Sequence, residues 1–521
     1  MFSIKSFPFG ITAKFNNSIT LIDALRQTGI DLVSPCGGKG LCGKCTVFVT
    51  DSKTGSKEPC LACQTKIDYD VTVDIPDHAL FSQEIIDFPV ASYGRHEAVT
   101  NEQVKKQRHK GIGMAVDLGS SRIAAYFVDL ESGSTLYIHG MTNPQVRYGN
   151  DIITRLEFYR ANDNNALKIR QIVSDAINEA IIAFNSGNHN KNSLTISSIV
   201  IVGNTAMHHI MARADVNGLL TAPFQPAVKD ALFFSTTGLG ISAANDARVF
   251  LPPPIAGFVG SDHLAVLLAT GVLNATQAAL VVDIGTNTEM SLIKGDEVYC
   301  LSCASGGAFE GSQISCGMQA VKGAIDHITI NEDKTDFHII GNEKPLGICG
   351  SGLFDLTAQL LKSKILDING RLLPHKPGVR NGKSGREFVI AEDAGQAHRP
   401  IVLTQHDIRA LQLAKAAIRT GIKILLQKVG IHENELQKII IAGSFGNYLN
   451  VSSAITIGVF PDLPENKFYQ VGNAAGIGAK ILLTNHYHNT RIENYYSGIR
   501  YIEMSKYPDF RKIFLSSLTF A

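Results

Sequence analysis

The sequence predicts an α/β multidomain protein, with a small β-grasp domain in front and a large, internally duplicated α/β domain behind. Two observations carry that prediction. Five of the nine cysteines fall between Cys36 and Cys63. A hairpin of apolar strand, aspartate, glycine, hydroxyl residues and second strand occurs twice, at 113–130 and at 280–293. The size agrees: 521 residues suit two to four compact units, and 45% apolar against 18% charged residues supports large cores rather than disorder.

The balance of charge narrows the function. Forty-eight basic and 47 acidic residues leave a formal net charge of +1. A general nucleic-acid binder needs a basic surface to pair with phosphates, so that class is disfavoured. No run approaches the roughly 18 apolar residues of a membrane helix. The opening MFSIKSFPFGITAKF alternates and carries two lysines, which reads as a hairpin strand and not as an export segment. The cytoplasm is the expected compartment. Cysteines bunched in a large chain of this kind point to metal or redox chemistry rather than a disulfide framework.

The front domain comes first. A hairpin fits residues 2–16. A helix follows, with Ser18 as its N-cap, Leu21 and Leu25 on one face and Gly29 as its stop. Then comes Cys36-x5-Cys42-x2-Cys45, with Gly37, Gly38, Gly40 and Gly43 among the cysteines. Thiolates are soft ligands suited to iron–sulfur clusters. Glycines let a loop turn its amides toward a buried anionic group, which helps set a reduction potential. Strands are expected at Thr46–Thr50 and Val71–Ile75. Cys60 and Cys63 compete for the fourth ligand position. The other reading of these residues is a zinc site, because Cys42-x2-Cys45 and Cys60-x2-Cys63 form two CxxC pairs; it leaves Cys36 unexplained.

This segment resembles a [2Fe–2S] ferredoxin, with its first spacing one residue longer than the plant type and similar to the adrenodoxin-like type. Residues 77–110, ending Lys105-Lys-Gln-Arg-His-Lys110, read as a polar linker.

The duplicated hairpins follow. The first runs Gly113-Met-Ala-Val-Asp117-Leu-Gly119-Ser120-Ser121, and the second Leu280-Val-Val-Asp283-Ile-Gly285-Thr286-Asn287-Thr288. Glycine lets backbone amides approach phosphate oxygens, hydroxyls add donors, and an aspartate at a strand end can hold Mg²⁺ or orient a water. One such turn is common; two copies argue for internal duplication. Three further pieces follow in order. Gly347-Ile-Cys-Gly350-Ser351-Gly352 resembles a connecting motif between lobes. Lys438-Ile-Ile-Ile-Ala-Gly443-Ser444-Phe-Gly446-Asn447 resembles an adenosine motif. Val471-Gly472-Asn473-Ala-Ala-Gly476 resembles a second connection. Between them Thr404-Gln-His-Asp407 reads as a capping box opening a long helix that ends at Gly430. The arrangement resembles the actin-like (ASKHA, ribonuclease H-like) ATPases. Expected boundaries are 1–78 for the cluster domain, 79–110 for the linker, 111–279 and 280–485 for the two lobes, and 486–521 for a C-terminal tail. The paired His208 and His209 suit helix-start packing, and Cys300, Cys303 and Cys316 suit a core rather than a second metal site.

A [2Fe–2S] domain ahead of an actin-like ATPase resembles the reductive activators of corrinoid-dependent methyltransferases. The likeness rests on Asn143-Pro-Gln-x-x-Tyr148-Gly149-x-Asp151, Gly203-Asn-Thr-x-Met-His-His209, Gly306-x-Ala-Phe-Glu310-Gly311-x-Ile-x-Cys316-Gly317-Met318, Leu403-Thr-Gln-x-Asp-Ile-Arg409-x-Leu-Gln-Leu-Ala-Lys415 and Gly446-Asn-Tyr448-Leu449. The family's Leu-Ala-Cys-Gln at its fourth ligand matches Leu61-Ala62-Cys63-Gln64. The resemblance therefore implies a cluster on Cys36, Cys42, Cys45 and Cys63. It implies ATP and Mg²⁺ at Asp117 and Asp283, phosphates on Gly119, Ser120, Ser121, Gly285, Thr286 and Asn287, and further nucleotide contacts at Gly350, Ser351, Gly443, Ser444 and Gly446. It implies one-electron reduction of Co(II) to Co(I) in a corrinoid protein, driven by ATP. The expected partners are that corrinoid protein, an upstream low-potential electron donor and, in one arrangement, a second copy of the chain, with neither nucleic acid nor membrane. Two departures stand out: only a short linker fits where longer members carry a middle domain, and no cysteine follows Cys349. The competing readings are a small-molecule kinase with a redox-regulatory ferredoxin domain, a redox-sensing nucleotide-binding module, and a dehydratase activator, which holds a [4Fe–4S] cluster between subunits.

Overall fold

The computed structural model describes residues 1–8, 10–28, 45–52, 54–76, 111–149, 151–187, 195–309, 313–331, 334–342, 344–392, 400–443, 445–484 and 496–520, with positions 30, 32, 40, 79 and 311. Two compact units result: one takes the described residues up to Asp262, the other those from His263 onward.

The first unit begins with a five-stranded sheet of β1 (Phe2–Phe7), β2 (Ile11–Phe15), β3 (Thr46–Asp51), β4 (Lys57–Leu61) and β5 (Val71–Asp74), ordered β2-β1-β5-β3-β4. Alternation sets its faces: Phe2 and Ile4 go inward and Lys5 outward. Helix α1 (Leu21–Gln27) packs Leu21, Ile22, Ala24 and Leu25 into the same core as Val47, Val71 and Val73. Its N-cap is Thr20, whose hydroxyl oxygen accepts from the Asp23 amide, so the start expected at Ser18 moves two residues on. The reason is local: Ile19 and Thr20 pair as a short strand with Lys66 and Ile67, which holds the chain extended past Ser18.

The same unit continues with β6 (Ile112–Leu118), β7 (Arg122–Asp129), β8 (Thr135–Thr142), β9 (Ile196–Gly203), β10 (Leu232–Ser235) and β11 (Arg248–Leu251) in the order β8-β7-β6-β9-β11-β10. Strands β6 to β8 form an antiparallel meander, and β9 and β11 add in parallel. Around it pack α2 (Ile152–Arg160), α3 (Asp163–Gly187) and α4 (Thr205–Ala212).

The second unit repeats the plan. Strands β12 (Ala279–Ile284), β13 (Thr288–Lys294) and β14 (Glu297–Cys303) form the meander, and β15 (Lys438–Ala442) and β16 (Phe468–Gly472) add in parallel beside β12. Strand β17 (Ile499–Tyr501) closes the far edge, giving β16-β15-β12-β13-β14-β17. Helix α5 (Gly350–Lys362) opens at the Gly350-Ser351-Gly352 motif. Helix α6 (Gln405–Val429) carries the expected capping box: Thr404 Oγ1 accepts from the Asp407 amide at 3.1 Å, and Asp407 Oδ2 accepts from the Thr404 amide at 2.9 Å. Its stripe of Leu411, Ala414, Ile418, Ile422, Leu425 and Leu426 is buried, and burying each large aliphatic side chain contributes about 1.5–3 kcal/mol. The helix ends at Gly430 with φ 70°.

The segment read as a C-terminal tail contributes β17 and then the helix Phe510–Ser516, which packs on α6. Lys415 Nζ donates to the Thr519 carbonyl, and the Phe520 amide donates to that of Ile368. The helix Ala474–Thr484 follows β16, and the Asn473 side chain caps it by accepting from the Gly476 amide at 2.9 Å.

Candidate functional site: a cysteine turn and two phosphate-type loops

Of the four cysteines implied as cluster ligands, Cys36 and Cys42 lie outside the described residues. Cys45 and Cys63 flank the same end of the β3–β4 ladder. Thr46 pairs with Leu61, and the Ala62 amide donates to the Cys45 carbonyl at 3.1 Å, so the chain brings both thiols to the same corner. Both are buried. The Gln64 amide group lies 3.6 Å from the Cys63 sulfur. Gly40 turns here with φ +74°, and a Cβ on it would press within 2.9 Å of the Gln64 side chain. A soft-ligand pair in a tight, glycine-lined corner fits an iron–sulfur cluster. Cys60 is placed differently. It stands directly across from Val47, which is fully buried, so its side chain shares the core face of the sheet. Burial pushes its thiol pKa up, with a Thr65 contact pulling the other way.

The first phosphate-type loop, Gly119-Ser120-Ser121, joins β6 to β7, and Asp117 sits near the end of β6 opposite Ala124. Three side chains fix the loop. Asn143 Nδ2 donates to the Gly119 carbonyl at 2.8 Å. Asn204, the N-cap of α4, donates to Ser120 Oγ at 2.8 Å. Arg155, fully buried, donates from Nε to the Gly149 carbonyl at 2.6 Å and from Nη1 to that of Ser120. The Asn143 amide also donates to the Ser121 carbonyl at 2.8 Å. Burial, with Asp117 as a lesser cause, drives the Tyr126 hydroxyl pKa upward.

The second loop, Gly285-Thr286-Asn287, joins β12 to β13. Ser305 Oγ donates toward the Gly285 and Thr286 carbonyls at 3.1 and 3.2 Å, and sits 2.9 Å from Thr288 Oγ1. Asp283 pairs across the hairpin with Glu289, a buried residue, so two carboxylates share one face. Next to them Gly443 ends β15 with φ +92°, and a Cβ there would meet the Ile284 carbonyl at 2.4 Å and Asp283 Oδ1 at 3.0 Å. Only glycine permits that approach. Gln470 ties the loop down by donating to the Gly446 and Leu449 carbonyls at 2.6 and 2.8 Å. Phe445 stacks on Phe309 at 5.6 Å, and both pack beside Gly350. Ser351 is buried, with its hydroxyl 3.3 Å from Cys349 Sγ. Ser444 and the side chain of Asn447 lie outside the described residues.

Sequence reasoning gave no role to Asn143, Arg155, Asn204, Ser305, Glu289 or Gln470. Arg155 did leave a signal: it falls on the apolar face of α2 with Ile152, Leu156 and Tyr159, where an arginine is out of place unless it is paired. His209 is engaged structurally, with Nδ1 on the Thr205 carbonyl and Nε2 accepting from the Ala227 and Val228 amides. Its neighbour His208 is buried, and that burial holds its pKa down to about 3. Burial likewise raises the thiol pKa values of Cys300 and Cys303. Among the described residues, no three histidine, cysteine or carboxylate side chains gather to hold a metal ion, and no helix is long and apolar enough to cross a membrane.

A thiolate corner in a β-grasp sheet, followed by two repeats of one meander-plus-parallel sheet with a glycine–hydroxyl loop in each, defines an iron–sulfur protein of the ASKHA class. Three family models tile the chain accordingly. The 2Fe-2S iron-sulfur cluster binding domain matches residues 7–68, the RACo middle region 112–275, and the C-terminal ASKHA domain of RACo 277–521. The corrinoid activation enzyme RamQ of Eubacterium limosum is 29% identical, over 88% of this chain and 89% of its own. The [Co(II) methylated amine-specific corrinoid protein] reductase of Methanosarcina barkeri is 25% identical, over 70% and 68%. A solved structure of a reductive activator for corrinoid, iron-sulfur protein superposes with a TM-score of 0.71 at 29% identity, covering 100% of this chain and 98% of that one. Along its length the chain is similar to these ferredoxin–ASKHA reductive activators. One expectation is corrected: the middle region is not missing, because residues 112–275, the first of the two repeats, are what matches it.

Proposed function

We propose that the chain is an ATP-dependent reductase that returns the cobalt of a corrinoid protein from Co(II) to Co(I). The observation that carries this is the joining, in one family-matched chain, of a cluster-type cysteine corner to two braced phosphate-type loops. In this reading Cys36, Cys42, Cys45 and Cys63 hold the [2Fe–2S] cluster, which supplies one electron at a time. The Gly119–Ser121 and Gly285–Asn287 loops hold phosphates, Gly443, Ser444 and Gly446 lie toward the adenosine, and Gly350 and Ser351 support them. Asp117 and Asp283, the latter paired with Glu289, have the hard oxygen chemistry for Mg²⁺. Since the electron must go uphill, ATP has to bind the electron-delivering conformation better than the resting one. A cytoplasmic location and a separate low-potential donor complete the proposal.

The test is direct. Reduced, cluster-loaded protein is mixed anaerobically with a Co(II) corrinoid protein, and the cobalamin spectrum is followed with and without ATP. Co(I) should appear with ATP and not without it. ATP-independent reduction, or none with any corrinoid protein encoded beside this gene, refutes the proposal.

A further inference from the structure

The cluster domain and the first phosphate-type loop belong to one compact unit, and the Arg26 side chain spans them. Arg26, near the end of α1, donates from Nη2 to the Arg147 carbonyl at 3.0 Å and lies over the Tyr148 ring at 5.4 Å from its centroid. Its other amino group is held by Asp23 at 3.1 Å, which aims the guanidinium. Tyr148 is nearly buried and stacked on Phe158 at 4.3 Å, so the ring that Arg26 meets is fixed. This is a contact of the kind arginine makes well, a flat cation on an aromatic face with a fork donor left for a carbonyl.

What lies on either side of this contact gives it meaning. Arg147 and Tyr148 end the short 3₁₀ turn Pro144–Tyr148. That turn is fastened to the phosphate-type loop at both ends: Asn143 binds Gly119 and Ser121, and Arg155 bridges the Gly149 and Ser120 carbonyls. On the other side, the first amides of α1 hold the cysteine turn. The Leu21 amide donates to the Thr65 carbonyl at 2.8 Å and the Ile22 amide to that of Ala62 at 3.0 Å, on either side of Cys63. Hydrogen bonds and packed rings thus run unbroken from Ser120 to the Cys63 turn.

We propose that Arg26 is a positioning residue that seats the cluster domain on the Asn143–Gly149 turn, so that nucleotide at the Gly119–Ser121 loop is felt at the Cys63 turn. This rests on the reading of that loop as a phosphate site. A loop that shifts to meet phosphate must pull on Asn143 and Arg155, and through them on the seat that Arg26 grips. Because the coupling is carried by a discrete contact, removing that contact uncouples the two ends while leaving each intact.

The experiment is amide hydrogen exchange of the full-length, cluster-loaded protein with and without Mg–ATP, followed in peptides covering 112–121, 143–149, 21–28 and 60–67. In the native chain ATP should slow exchange in all four, by about five-fold or more. In Arg26→Ala the response at 112–121 should persist while those at 21–28 and 60–67 vanish, with cluster absorbance unchanged. Arg26→Lys, which keeps a cation and a donor, should restore part of the response. Persistence of the α1 response in Arg26→Ala, or its absence in the native chain while 112–121 responds, overturns the inference. Silence at 112–121 itself in the native chain overturns the nucleotide reading instead.

Discussion

Cys63 and Cys60 are three residues apart and sit differently with respect to the sheet. Cys63 stands in the turn beyond the ladder, beside Cys45, while Cys60 shares a face with Val47 inside the sheet. Cys63→Ala should therefore abolish the cluster, read as loss of visible absorbance and of bound iron, whereas Cys60→Ala should keep both. The reverse result would move the fourth ligand to Cys60. His208 gives a second test. Its folded pKa is depressed to about 3 from 6.5, so the unfolded state binds more protons between those values. Stability should fall as pH drops from about 6.5 toward 3, and His208→Phe should flatten that part of the stability profile; an equal slope in the variant would exclude His208 as its source. At this scale the sequence singled out residues of rare chemistry, the cysteines and the two aspartates, and the fold sets each aspartate near the end of the first strand of its meander. It was illegible where common residues act through geometry: nothing in the spelling of Asn143 or Ser305 says that it clamps a loop far away in the chain.

Among the elements, α6 shows why local signals can be clear and still incomplete. Its capping box, apolar stripe and terminal glycine were all readable, because each depends on spacing within one helix. What the helix holds was not readable. Gln412 donates to the Leu518 carbonyl at 3.1 Å, Lys415 to that of Thr519, and Lys423 to Ser517 Oγ at 3.2 Å, so one face of α6 grips the end of the chain. A polar stretch followed by scattered aromatics reads as a tail until its partner is seen. Burial, then the charges of Arg419 and Lys423, lowers the Lys415 pKa to about 7 from 10.5. The unfolded state thus holds the extra proton between those values, and stability should rise as pH goes from about 7 to about 10. Lys415→Met removes that titration, so its unfolding midpoint should rise less over the same range. A variant that follows the native slope would assign the dependence elsewhere.

Across the whole molecule the repeat is topological. Each half has a three-stranded antiparallel meander whose first strand carries the aspartate, with two parallel strands added beside that strand. The duplicated Asp-x-Gly hairpins foretold the first part of this; the parallel strands, over 60 residues beyond the first hairpin and over 140 beyond the second, could not be assigned to their places without the sheet. The halves are not equal in chemistry. Asp117 faces Ala124 across its hairpin, whereas Asp283 faces the carboxylate of Glu289. Two carboxylates on one face suit a divalent cation, so under the proposed function the second loop is the one assigned Mg²⁺. Under the proposed function neither aspartate can be spared, yet they should fail differently. Asp283→Asn should weaken the dependence of turnover on Mg²⁺ concentration and lower ATP-driven Co(II) reduction by about 10²-fold, the usual scale for losing a charge that organises phosphoryl chemistry. Asp117→Asn should lower the rate while leaving the Mg²⁺ dependence in place. Both should keep the cluster spectrum, since Cys45 and Cys63 flank strands of a separate sheet. Rates measured across a Mg²⁺ titration decide the matter, and identical titration midpoints for the native chain and Asp283→Asn would remove the metal from the second loop.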